Sequence, residues 1–424
     1  MQKPAYTKCV STLTEDTTVK KRRQLKTNGT VIGIDAHSEK IVASFIEMHD
    51  GVEGKPRNFV TTVDALEPTF KKRIQGGEIA VLEASTNSFS IASRLNAIGI
   101  DVRVVTSDCL AGRQRSDKIN DRIDAENLAR AFISGDTQLV WQPSPKFRGM
   151  RDLFFAYRNA VKNATQASNR IWGFMNGHGF KAPSRGKQKK LSTLEKLLKE
   201  RKWNADEKFL LEQMIGDYEH AINQRDACEA KIKAHVAASE DMRRIMQVLG
   251  IRFIVAFALM AFIEDIHRFE TAKSLVRYIG FNPSECSSGT KEGRHDMSRF
   301  GRHDLKGLMI QGAQAAMRTG KGNMHKWARH LCASGKNRNL ATCALARKMT
   351  VYVWHILMGH PTPNATPDPT FVRKLSKLAS ELGEDALEKL GFKSAKEYVK
   401  TVSKTIYANQ KKPQELQTDP LASA

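Results

Sequence analysis

Four carboxylates carry the first chemical signal. Asp35 closes the apolar run Val31-Ile32-Gly33-Ile34, and Glu83 closes a second run that begins near Glu78. A charge at the end of a buried strand must be solvated or paired, so packing alone does not call for it. Asp121 and Asp124 stand three apart in a segment patterned as a helix, which puts both on one face. Acids from two strand ends and one helix can converge above the edge of a single sheet. Hard oxygen donors of this kind suit Mg²⁺ or Mn²⁺. Two such ions activate a nucleophile and stabilise a leaving oxygen in phosphoryl transfer. Taken singly, each acid has a plainer reading. Asp at a strand end is a common turn residue, and Arg122 and Arg130 are available as structural partners. Asp117 rivals Asp121, and the spacing also admits Glu126.

The elements that must position these acids follow from the hydrophobic pattern. Val31 to Asp35, Ile41 to Ile46, Asn58 to Val63, Glu78 to Glu83 and Asp101 to Thr106 read as short strands. Helical stretches are expected from about Asp64, over Thr86 to Ala97, and over Asp121 to Ile133. Strands alternating with helices indicate an α/β sheet with some parallel pairing. Beyond Pro143 and Pro145 the strand signal ends. Met150, Leu153, Phe154, Tyr157, Val161, Ala164, Ile171 and Phe174 recur at helical spacing. A basic turn at Gly177 to Lys190 leads to a second long helix ending near Ala238. There Ile215, Tyr218, Ile222, Ile232 and Val236 approach heptad spacing, with Arg225 and Glu229 interrupting the seam. A coiled-coil arm that joins two copies and a plain helical hairpin packed on its own domain both fit. Residues 246–360 read as mostly helical. The tail beyond Pro361 adds helices at about Phe371 to Leu382 and Ala395 to Tyr407.

Charge narrows the partner. The 424 residues hold 68 Lys and Arg against 45 Asp and Glu, a net charge of +23. That excess favours a polyanion, because neutralising phosphates releases counterions. Nucleic acid is the expected partner, though charge does not choose between DNA and RNA. Six cysteines form no CxxC pair or disulfide framework, which suits a reducing cytoplasm. No signal peptide is evident, and the apolar run Ile251 to Ile263 is too short to span a bilayer. It is expected to be a buried helix. No membrane partner is expected.

A second candidate lies in the loop from Gly280 to Gly293, which contains Ser287-Ser288-Gly289. A serine acts as a nucleophile only with a base, a metal or a strongly positive site to help it. Lys291, Arg294, Arg299 and Arg302 follow closely and suit phosphate binding, as does His295, although a solvated basic face would look the same. A Ser-Ser-Gly alone is usually a turn. An ATP-binding domain of actin type also starts with a Gly-Ile-Asp strand, but its phosphate-holding glycines and hydroxyls are absent from Ala36-His37-Ser38-Glu39. No Walker loop is present either.

Taken in order, these motifs resemble the DEDD-type insertion-sequence transposases, relatives of the pilin-gene invertases and the bridge-RNA-guided recombinases. The carrying residues are Gly33-Ile34-Asp35-Ala36-His37, Leu82-Glu83-Ala84, and Lys118 through Ala125. The C-terminal block adds Arg268-Phe269, Tyr278 through Pro283, Ser287-Ser288-Gly289, and Arg299-Phe300-Gly301 leading to Leu305. The resemblance runs from about residue 30 to 358. It implies an α/β RuvC-like (RNase H-type) N-terminal domain, a helical coiled-coil arm and a mostly α C-terminal domain. The boundaries would be the nuclease domain at 30–145, the arm at 146–245 and the serine-bearing domain at 246–360. The polar, basic residues 1–29 read as a flexible arm and 361–424 as a linker with helical tail, both extending beyond the family's usual core.

By the same resemblance, Asp35, Glu83, Asp121 and Asp124 would be catalytic ligands of Mg²⁺ or Mn²⁺. Ser288 would join covalently to a DNA phosphate, with Ser287 the less favoured neighbour. Donor and target DNA, a non-coding bridge RNA, and a homodimer assembling to a tetramer would be the partners, in the cytoplasm at the nucleoid. A site-specific invertase, or a metal-dependent junction-resolving nuclease without serine chemistry, are the alternatives. One departure stands out: Leu305-Lys306 replaces the usual Leu-Arg, keeping charge but losing the forked guanidinium.

Overall fold

The computed structural model describes residues 28–107, 120–181, 191–200, 202–283, 297–298, 300–319, 322–360 and 370–410. The chain divides into two compact units, Met1–Ser144 and Pro145–Ala424.

The N-terminal unit is built on a mixed sheet. β1 (Gly29–Ala36) pairs antiparallel with β2 (Lys40–His49), which also pairs antiparallel with β3 (Val52–Glu53) and β4 (Arg57–Thr62). On its other side β1 runs parallel to β5 (Ile79–Glu83), and β5 runs parallel to β6 (Asp101–Val105). Side chains alternate across the strands, so β1, β2, β5 and β6 each feed two cores. Ile32, Ile34, Leu82 and Val104 pack with α1 (Leu66–Lys71) and α2 (Ser88–Ala97) on one face. Val31, Val81 and Val105 pack with Leu128 and Ala129 of α3 (Asp121–Ile133) on the other. The two-residue β3 was not foreseen; both its residues are exposed, so it carries no apolar signal.

The C-terminal unit is helical. α4 (Pro145–Gly177) and α6 (Ala205–Ala238) form a long antiparallel hairpin, with α5 (Leu191–Glu200) against its tip. At the tip His178 Nε2 lies 3.2 Å from Glu207 and Phe180 stacks on Trp203. At the base Phe154, Ile232 and Val236 join the main core. Of the seam residues, Ile215, Tyr218, Ile232 and Val236 are buried within this one chain and Ile222 is half-buried. The interruption is used: Glu229 pairs with Lys233 at 2.7 Å, and Lys233 reaches Glu381 at 2.9 Å.

α7 (Glu240–Ile245) and α8 (Phe253–Ile263) follow, and α8 is the buried apolar helix that its sequence required. One core joins it to α9 (Ala272–Ile279), α10 (His303–Thr319), α11 (Asn323–Ala333) and α12 (Arg338–Met358), with α10 packed directly on it and α11 on α10 and α12. The tail forms α13 (Phe371–Leu382), α14 (Glu384–Glu388) and α15 (Ala395–Gln410). It is no loose appendage. Phe371, Leu375 and Tyr398 are fully buried in the main core, and Lys374 Nζ donates to the carbonyls of Met246 and Val248. No helix among the described residues is long and apolar enough to cross a membrane.

Candidate active site

The register of two parallel strands starts the site. Ile34 of β1 stands beside Leu82 of β5, so Asp35 and Glu83, one residue on, leave the sheet at its carboxyl edge. Alternation puts Asp35 on the face of Val31 and Gly33, and Glu83 on the face of Val81. That face is covered by α3. Carboxyl edges of parallel strands are where ligands bind in open α/β sheets.

Gly33 lets the helix come close. A Cβ built there would lie 1.9 Å from the backbone oxygen of Ala125, so only glycine allows α3 to rest on β1. Asn120 caps the helix, its side chain accepting from the Arg122 amide at 3.1 Å. Asp121 and Asp124 therefore occupy the first turn, where the helix dipole favours anions.

The four acids feel one another. Burial pushes the Asp35 carboxyl above its ordinary range; the nearby His37 opposes this, while Asp121 and Asp124 add to it. Burial also raises Glu83, helped by Asp35 and Asp124. Asp121 is held below its usual range by the hydrogen bond from Lys40, whose Nζ sits 2.7 Å from Oδ2. His37 Nε2 lies 3.2 Å from Asp35 and 3.6 Å from Asp121. Donor atoms of Asp35, His37 and Asp121 all fall within 4.8 Å of one another. Clustered carboxylates that resist ionisation through burial and mutual repulsion fit a divalent cation, which would relieve both penalties.

The plainer partners go elsewhere. Arg130 pairs with Glu126 and Glu53, and Glu126 accepts from Asn58 at 2.7 Å. Among the described residues no arginine pairs with Asp35, Glu83, Asp121 or Asp124. Asp117 lies outside the described residues. Sequence reasoning passed over Lys40 and gave His37 no role. Both belong to the β1–β2 hairpin, where a polar residue ordinarily signals only a turn; the only hint was their closeness to Asp35 in the chain.

Ser287, Ser288, Lys291, Arg294, His295 and Arg299 also lie outside the described residues. The chain on either side of them is closely pinned. A Cβ on Gly301 would stand 2.7 Å from the Gly280 Cα, and one on Gly280 would stand 2.5 Å from the Phe300 oxygen. Both glycines have positive φ. Pro283 bridges to Met297, the Ser298 amide donates to Asn282 at 2.8 Å, and Lys306 Nζ donates to the Ser298 oxygen. Lys306 thus does a structural task with a single ammonium. Arg302 is engaged locally: it pairs with Asp304 at 2.7 Å and lies 4.1 Å from the centroid of the Phe262 ring.

Comparison with known proteins places both halves of the chain. Residues 32–179 match the IS110-type DEDD domain, described as a transposase, and residues 242–329 match the transposase IS116/IS110/IS902 family. The chain is 26% identical over 361 residues to the transposase for insertion sequence element IS1111A of Coxiella burnetii, covering 81% of this chain and 93% of that one. It is 24% identical over 283 residues to a probable family 20 transposase of Pseudomonas aeruginosa, covering 66% and 83%. The transposase for element IS1328 of Yersinia enterocolitica is 24% identical over 281 residues, covering 65% and 82%. The two family matches together take in more than half of the chain, which is a transposase of the IS110/IS116 family, a DNA-cleaving and joining enzyme with a DEDD domain.

Proposed function

We propose that this transposase cuts and rejoins insertion-sequence DNA with a RuvC-like, RNase H-type metal site and a serine nucleophile. The observation that supports this reading is that Asp35 and Asp121 offer donor atoms within 4.8 Å of one another and of His37, with Asp124 near enough to raise both the Asp35 and the Glu83 carboxyl. These four residues would hold Mg²⁺ or Mn²⁺, and the ion supplies Lewis-acid stabilisation of phosphate oxygens. His37 orients the acids, and Lys40 balances the charge of Asp121 until a cation takes its place. Ser288 is the proposed nucleophile. Its Oγ forms a bond to the scissile phosphorus and loses its proton, the bond from phosphorus to one deoxyribose oxygen breaks, and that oxygen is protonated. By the family resemblance, the acids of another protomer, in a dimer or tetramer, complete the Ser288 site.

The net charge of +23 supports a polyanionic partner, which this reading takes to be DNA together with an element-encoded bridge RNA. Lys291, Arg294 and Arg299 are phosphate contacts beside the serine, with Arg302 joining them on release from Asp304. The test is strand transfer on DNA carrying the element's joined ends, with flanking RNA and Mg²⁺ supplied. Recombination should be lost in Asp35→Asn and in Ser288→Ala. Metal-dependent cleavage that survives Ser288→Ala, without recombination in the wild type, would leave a junction-resolving nuclease instead.

A further inference from the structure

The segment Leu305 to His360 contains nine Lys and Arg and not one Asp or Glu. An ordinary solvated helix face mixes signs, as α6 does with Asp206, Glu207, Lys208 and Glu212 in its first turns. Here the basic residues have no acids to pair with locally. Three of the nine, Arg329 of α11, Lys336 of the connecting turn and Arg338 of α12, line one open cleft of about 760 Å³ together with His330, Met317 and Cys332. Arg329, Lys336 and Arg338 are exposed, and no carboxylate among the described residues pairs with them.

The local fold builds this cleft from a helix pair. α11 stops at Ala333, and Gly335, with φ of +84°, reverses the chain within the turn Ser334–Asn337. Asn337 then caps α12, its side chain accepting from the Asn339 amide at 2.8 Å. The 21-residue α12 has no acid in its first turn, so the positive end of its dipole adds to the same field. A helix, a four-residue turn with glycine and a second helix is a shape that lies against a duplex. The lining holds no Phe, Tyr or Trp, and its one ring, the His330 imidazole, is a small stacking surface beside three cationic side chains, which favours backbone phosphates over a run of unpaired bases.

From this we infer that the α11–α12 elbow is a docking site for the phosphodiester backbone of duplex DNA, built from residues other than those of the acidic cluster and the serine loop. Arg329, Lys336 and Arg338 take phosphates, and the exposed Asn339 and Leu340 stand beside them on α12. The site anchors DNA without cutting it, and it stands whether or not the serine and metal chemistry is as proposed.

The test uses the full chain in EDTA, so that no cleavage intervenes. Binding of a labelled 30-base-pair duplex and of a hairpin RNA is followed across KCl concentrations. The triple variant Arg329→Gln/Lys336→Gln/Arg338→Gln is compared with Lys389→Gln/Lys393→Gln/Lys396→Gln, which removes the same charge from exposed tail positions. The elbow variant should lower the slope of log K against log salt by about 2–3, each lost phosphate contact being worth about 0.9. Duplex affinity should fall at least about tenfold at 150 mM salt, and the tail variant should lower the slope by less than about one. Equal effects from the two variants would overturn the site, and a loss confined to RNA would overturn its assignment to duplex DNA. A readout on the wild type removes dependence on variant folding: the half-buried Cys332 in the cleft should be alkylated several-fold more slowly when duplex is bound. Unchanged labelling of Cys332 on DNA-bound protein would also overturn it.

Discussion

The backbone oxygen of Ala125 lies 1.9 Å from the place a Cβ on Gly33 would occupy. Helix α3 and strand β1 are thus in backbone contact, and this contact sets the height of Asp121 and Asp124 above Asp35. Gly33→Ala should force the helix off the strand at a cost of about 1–3 kcal/mol, as overpacking usually does. Denaturant unfolding measures the cost. Strand cleavage at a temperature where the variant is folded should fall further than the stability loss explains, because the acids separate. Wild-type stability and cleavage in Gly33→Ala would show that the close contact does not position the site.

Asp35 gives a pH-dependent signature. Its carboxyl is raised by burial and by Asp121 and Asp124, with His37 opposing, so the fold prefers it protonated. Without divalent ions, its contribution to stability is fully present below the unfolded value of about 3.9 and is lost as pH rises through the folded value. Asp35→Asn removes that loss. The variant should be more stable than wild type near pH 7 by about 0.5–2 kcal/mol, and the gain should vanish as the pH falls towards 4. Mg²⁺ should stabilise wild type and do little for the variant, because only the native acid cluster binds it. Thermal melts across pH, with and without Mg²⁺, read both effects. A variant less stable than wild type at pH 7 in EDTA would contradict the raised carboxyl.

Lys40 competes for the same oxygen that would face a cation. Its Nζ donates to Asp121 at 2.7 Å and holds that carboxyl low. The pair is largely solvent-exposed, so its effect on folding should be small. Lys40→Met should tighten Mn²⁺ binding by about two- to fivefold, in keeping with a weak exposed ion pair. Calorimetric titration of the metal checks this. Weaker Mn²⁺ binding in Lys40→Met would instead make Lys40 an organiser of the cluster.

The sheet and the acidic cluster were legible because their signals are local. The run Val31 to Ile34 ends in Asp35, Glu78 to Leu82 ends in Glu83, and Asn120 announces the helix that carries Asp121 and Asp124. Lys40 could not be found this way, since its meaning depends on a partner 81 residues away. The heptad-like seam of α6 fitted two arrangements, and its buried residues pack against α4 of the same chain. Arg225 and Glu229 looked like flaws in that seam, yet Glu229 holds Lys233, which reaches across to Glu381. The tail showed its α13 and α15 periodicity but not its destination. Tyr398 is fully buried, with its hydroxyl 3.5 Å from the Ala237 oxygen, a contact across 161 residues that no local pattern encodes.

The most direct measurement is covalent trapping on labelled joined-end DNA with Mg²⁺ and the flanking RNA, run on a denaturing gel for wild type, Ser288→Ala and Asp124→Ala. A protein–DNA band that survives denaturation in wild type, absent from both variants, is the expected result. It would join the serine and the acidic cluster in one reaction. Metal-dependent cleavage in wild type with no covalent band in any lane would contradict the account and return Ser288 to the role of a turn residue.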